Sequence, residues 1–126
     1  MSNATLWLCV MLAGALGTGA RFGTNLALRG VLGVFPAATL TVNIVGSLAM
    51  GAVAGWAQSR ASFSEPLRLT LATGFLGGFT TFSAFSIETL TLWRDGQGAL
   101  ALLNVALNLV LGIAACALGY ALARAG

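Results

Sequence analysis

The chain has 126 residues, a net charge of +3, a hydrophobic fraction of 58% and only 7% charged residues. A soluble globular domain carries about 25% charged residues, so a surface this poor in charge excludes water as the main solvent and points to lipid. Histidine is absent, which excludes His-based metal centres and catalytic triads, and no enzyme is expected.

Four stretches reach the ~20 apolar residues that a spanning helix needs: roughly 4–28, 37–58, 66–92 and 98–123. With short connections between them, they predict an all-α membrane protein with one four-span domain over 1–126. The first stretch lacks the basic leader of a signal peptide and reads as a span. Within it, Gly17-Thr18-Gly19 and then Gly23 imitate a dinucleotide fingerprint. No strand precedes them and no acid follows about twenty residues on, so nucleotide binding is not expected. The four-residue spacing of Gly19/Gly23, repeated at Gly51/Gly55 and Gly74/Gly78, predicts close helix packing, within the bundle or against a second copy. Cys9 and Cys116 lie deep in the first and last spans and read as small apolar packers.

Pro36 opens the second span, where a missing N–H costs little. Thr39, Asn43 and Ser47 recur every four residues on one helical face. Asn104 and Asn108 repeat that spacing in the fourth span. Two polar stripes inside a membrane predict either interhelical hydrogen bonds or a hydrated path. Trp7, Trp56, Trp93 and Tyr120 fall near span ends, as an aromatic belt would.

The third span, 66–92, is the unusual one. Ser62 and Glu65 match a capping box before it, with Pro66 just inside. Fully helical it would be about 40 Å long, against a hydrocarbon core of about 30 Å. Gly77-Gly78 predicts a break near its middle, because each glycine costs roughly 1 kcal/mol against alanine. Unwound carbonyls facing inward suit a hard cation such as Na⁺, and Thr80 and Thr81 could add oxygens. Phe82 and Phe85 follow, three apart, with Ser83 and Ser86 alongside and Phe75 and Phe79 upstream. Such stripes usually build core, yet ring edges are positive. Combined with hydroxyl and amide donors, they suit a small anion that sheds its water.

The six arginines are scattered singly, which argues for interface anchors rather than a nucleic-acid surface. In a four-span topology, Arg60, Arg68 and Arg124 fall on one side and Arg21, Arg29 and Arg94 on the other. This three-to-three count leaves two outcomes open: insertion both ways up, with antiparallel pairing of two copies, or one orientation despite the tie.

The segments GTGARF (17–22), TLTVNIVGS (39–47), GGFTTFSAFSIE (77–88) and LLNVALNLVLG (102–112), in that order, resemble the Fluc, or CrcB-type, fluoride channels. The resemblance spans the whole chain and is most specific at 77–88. It implies a multi-pass protein of the bacterial inner membrane that exports F⁻ passively as an antiparallel, dual-topology homodimer with two pores. It implies a structural Na⁺ held by backbone carbonyls, which map onto Gly77 and Thr80. The family's phenylalanine pair maps onto Phe82 and Phe85, and its pore asparagine onto Asn43. Thr39, Ser83 and Asn108 extend the polar path, and Arg21 would make a vestibule electropositive. Ala84 departs from the family's usual threonine. The alternative is a proton-coupled exporter of the small multidrug-resistance kind, which needs a carboxylate in the membrane. Glu88 is the one candidate, and its simpler reading is a partner for an arginine or a helix terminus.

Overall fold

Six α-helices and one π-helical stretch account for nearly all of residues 1–126, all of which the computed structural model describes. Helix α1 (Asn3–Leu28) starts where the Ser2 hydroxyl accepts a hydrogen bond from the Thr5 N–H at 3.1 Å, satisfying one orphan donor of the first turn. It ends in a turn in which Gly30 and Gly33 take φ of 72° and 65°, a region open mainly to glycine. Helix α2 (Ala37–Ser59) begins directly after Pro36, which stands at the cap rather than inside the helix.

The third segment is composite. Helix α3 (Glu65–Leu69) is capped by Ser64, whose hydroxyl accepts from the Leu67 N–H at 3.3 Å. The predicted capping box from Ser62 to Glu65 does not form, because the helix begins one residue past Ser64 and Glu65 instead pairs with Arg68. A π-helical stretch (Thr70–Leu76) and the short helix α4 (Gly77–Phe79) continue the same rod. The chain then leaves helical geometry and resumes as α5 (Ser83–Arg94). The last helix, α6 (Gly98–Ala125), follows a turn at Gly96.

Helices α1, α2 and α6 are each long and apolar enough to cross a membrane. Only 19 of 126 residues are buried, so the outer surface is largely Leu, Val, Ile and Phe. In water such a surface would aggregate. It suits lipid or a second copy of the chain.

The most extensive internal contact is α2 against α6. A Cβ at Gly51 would lie 1.9 Å from the Cys116 carbonyl oxygen, and one at Gly119 would lie 2.1 Å from that of Leu48. Only glycine permits backbones this close. Helix α1 lies along the π-helical stretch and α4. There a Cβ at Gly78 would meet the Gly14 carbonyl oxygen at 2.4 Å. Gly51/Gly55 and Gly74/Gly78 therefore pack as their spacing predicted. Gly19 and Gly23 do not: nothing lies within 4 Å of either, and that face of α1 is open.

The break itself sits elsewhere than predicted. Gly77 is helical, with φ −62° and ψ −36°. Helix is lost at Thr80–Phe82, where Thr80 extends to ψ 162°. The glycine pair serves approach to α1 instead of unwinding.

Candidate functional site

A break in a helix packed among apolar neighbours must find partners for its freed backbone groups. Most come from side chains. The Thr80 N–H still donates to the Leu76 carbonyl at 3.0 Å. One residue later the ladder is replaced by Asn43 of α2. Its Oδ1 accepts from the Thr81 N–H at 2.9 Å, and its Nδ2 donates to the Thr81 carbonyl at 3.1 Å. One carboxamide thus mimics a peptide unit of a neighbouring strand. The Thr81 hydroxyl accepts from the Ala84 N–H at 3.1 Å and caps α5. Arg21 of α1 donates its Nε to the Gly78 carbonyl at 3.0 Å. The carbonyls of Gly77 and Thr80 accept no hydrogen bond within the chain.

From Asn43 a line of amides crosses the bundle. Its Nδ2 also donates to Asn108 Oδ1 at 2.9 Å. The Asn108 Nδ2 donates to the carbonyl and the Oδ1 of Asn104, at 2.8 and 2.9 Å. Asn104, which has no exposed surface, donates to the Thr89 hydroxyl at 3.0 Å. Thr89 in turn donates to the Phe85 carbonyl at 2.8 Å. Asn43 of the first polar stripe and both asparagines of the second therefore belong to one network joining α2, α6 and α5. In low dielectric such chains reinforce one another.

Phe82 and Phe85 flank this network with centroids 5.5 Å apart and rings inclined at 62°, edge to face. Phe85 is buried, whereas Phe82 is 75% exposed. Upstream, Phe75 and Phe79 stack at 5.9 Å. Asn43, Ser47, Thr80, Phe82, Phe85 and Asn108 line one groove of about 260 Å³ that opens on the surface of the chain. No residue lining it is ionisable. Its polar groups are amides and hydroxyls, and the rest of its lining is the two phenylalanine rings with Gly46, Met50 and Leu109. Such a lining carries partial charges and no full one.

The groove gathers most of the predicted site but not all of it. Thr39 and Arg21 lie on the other side of the Thr81 clamp. The Thr39 hydroxyl donates to Glu88 Oε2 at 3.0 Å. Glu88 pairs with no arginine; its partner Thr39 stands in the first turn of α2, so of the two simpler expectations the helix terminus is the one the geometry fits. The single ion pair of the chain is Arg68 with Glu65. Ser83 is exposed at the start of α5 and does not line the groove. A wider vestibule of about 410 Å³, with Asn25, Arg29, Thr39, Glu88 and Asp95 on its walls, opens between the α1–α2 loop and the end of α5.

Sequence reasoning missed Thr89 as the terminus of the amide line and the role of Thr81 as a cap. The spacing of Thr89 from Phe85 by four was available as a signal, but it does not show that Asn104 of another helix stands opposite.

The profile of the family described as CrcB-like protein, Camphor Resistance (CrcB), matches residues 8–120. A protein of Methylobacterium sp. (strain 4-46) named fluoride-specific ion channel FluC is 47% identical over 117 residues, covering 93% of this chain and 94% of the relative. Proteins of the same name from Hyphomonas neptunium and Saccharophagus degradans are 47% and 44% identical, over 94% and 90% of this chain. They are covered over 94% and 86% of their own lengths.

Proposed function

The chain belongs to the CrcB-like family, and on that premise we propose that it is a fluoride-specific channel that lets F⁻ leave the cytoplasm passively. One observation carries this reading beyond the relatives' names: a charge-free groove at the break of the third segment, lined by aromatic rings and amide and hydroxyl groups. A fixed positive charge there would bind fluoride too tightly to release it. Oriented partial charges lower the dehydration cost and let the ion move on.

The need is chemical. HF crosses bilayers, dissociates in neutral cytoplasm and is retained as the anion. An interior-negative potential drives each exiting anion by about 2.3 kcal/mol per 100 mV. The transported path runs through Asn43, Phe82, Phe85 and Asn108, with Thr39 and Arg21 toward the vestibule and Ser83 at the exposed end of α5. Both N–H donors of Asn43 are engaged, on Thr81 and Asn108. Asn43 therefore shapes the path by fixing the break, and offers fluoride a donor only on releasing one partner.

In this reading the rod 66–79 and α5 together form the third of four spans. Two copies then pair in antiparallel, dual-topology fashion in the bacterial inner membrane. The exposed Phe82 ring and the open face of the groove support such pairing, since a lone chain leaves both uncovered. So does the arginine balance. Arg60 donates to the Ala123 carbonyl and Arg124 lies over Tyr120 at the same end of the bundle, while Arg29 borders the vestibule at the other. The free Gly77 and Thr80 carbonyls suit a Na⁺ ion, a hard cation that prefers oxygen ligands. When bound, it would supply the positive charge that offsets these unpaired dipoles. The exporter alternative would use Glu88, but family membership and the charge-free groove favour the channel.

The test is anion efflux from liposomes carrying the purified protein under voltage clamp by an ionophore. Fast F⁻ efflux without Cl⁻ efflux is expected. Absence of F⁻ flux, with Glu88-dependent exchange of a cationic drug for protons, would reject the channel.

A further inference from the structure

Beside the Thr81 clamp lies a small, partly open space of about 30 Å³, bordered by Arg21, Asn25, Thr39, Thr81, Ala84 and Glu88. We propose that it is a binding site for one structural water, which hydrogen-bonds Glu88 Oε1 and exists because residue 84 is alanine. This goes beyond the channel reading and stands or falls apart from it.

Three observations converge. First, Glu88 Oε1 is buried and has no hydrogen-bond partner, while Oε2 accepts from Thr39. An unpartnered buried carboxylate oxygen is costly. Protonating the carboxyl does not remedy this, because no protein acceptor or donor lies within reach of Oε1. Second, the space exceeds the roughly 10–15 Å³ that a cavity needs to hold a water, and its walls are polar enough to hold one. Third, the walls offer complementary groups. The Thr81 hydroxyl accepts from the Ala84 N–H, which leaves its own proton to donate. Arg21 commits its Nε to the Gly78 carbonyl, which leaves the terminal guanidinium nitrogens. A water that accepts from Thr81 or Arg21 and donates to Glu88 Oε1 satisfies the usual count of partners.

Position 84 decides whether that water can be there. An alanine methyl neither fills the space nor offers a hydroxyl. A larger side chain would take the volume, and a serine would add a donor in the same place. The water would tie α1, through Arg21, to α5 and α2, through Glu88 and Thr39. The break between α4 and α5 would then be braced on the side away from Asn43.

The test combines a structure at a resolution that shows ordered solvent with a thermal double-mutant cycle in detergent, both on the full chain. Expected is one solvent peak within hydrogen-bond distance of Glu88 Oε1. Ala84→Val should expel it and lower Tm by about 5 °C. Ala84→Ser should shift Tm by about 1 °C or less. In a Glu88→Met background the cost of Ala84→Val should fall by at least about half, since no orphan oxygen remains. An empty cavity in the native chain, or an equal Ala84→Val shift in both backgrounds, overturns the proposal.

Discussion

The α2–α6 pair and the broken third segment solve the same problem in opposite ways. Along α2 and α6 the backbone satisfies itself, and glycines such as Gly51 and Gly119 let two unbroken rods touch. At Thr80–Phe82 the backbone cannot satisfy itself, and side chains of other helices do it instead. The first region can be built from small residues alone. The second needs an amide at one particular height on a neighbouring helix. Stability therefore concentrates in the first region, and the candidate site in the second.

That division can be broken most forcefully at the packed pair. Gly119→Val would drive a branched side chain into the Leu48 carbonyl, and should cost about 3 kcal/mol or more. Titration with a denaturing detergent would read this as loss of the folded population, with flux lost only in proportion. Asn43→Ala tests the other region. Two Thr81 groups would lose their partner inside the membrane, at about 2 to 3 kcal/mol, and F⁻ efflux should stop. If the fold were as stable as that of the native chain and only flux fell, Asn43 would be an ion donor and not the clamp described above.

The phenylalanines sharpen the contrast within the site. Phe85→Ile replaces a buried ring and should cost about 1 kcal/mol, while Phe82→Ile alters an exposed one and should cost under about 0.5 kcal/mol in the isolated chain. Both should abolish selective F⁻ efflux from liposomes. A Phe82→Ile channel with unchanged flux would remove that ring from the path. Ser64→Ala removes only a cap, far from the groove. It should lower stability by about 1 kcal/mol and leave flux per folded channel intact.

The smallest effect expected is on pH. Hydrogen bonding to Arg68 holds the Glu65 carboxyl, just outside the third span, below the ordinary carboxylate range. A depressed folded-state pKa contributes stability above the unfolded pKa and loses it as pH falls through the folded one. Thermal scans from neutral to acid pH should therefore show a slight loss attributable to this exposed pair. Added salt should shrink it. Glu65→Gln should erase it.

Much of the site is legible in the sequence. Spacing by four places Thr39, Asn43 and Ser47 on one face and Asn104 with Asn108 on another. It also identifies the two glycine pairs that do pack. The same rule fails at Gly19 and Gly23, because spacing shows that a face could approach another and not whether one is present. It fails again at Gly77-Gly78. Weak helix propensity marks where a helix could open. Whether it opens depends on what stands across from it, and there stands the close-packed backbone of α1.

Composition and periodicity by themselves determined that this is an α-helical membrane protein, that its third segment departs from a plain span, and which polar and aromatic residues share a face. Those properties follow from transfer free energy and helical pitch, both local to a segment. The tertiary structure alone decided that the break falls at Thr80–Phe82, that Asn43 closes it, and that Glu88 meets Thr39 instead of an arginine. Each of these is a hydrogen bond between residues at least 38 positions apart. Inside a membrane a freed backbone group takes whichever partner the bundle brings to it.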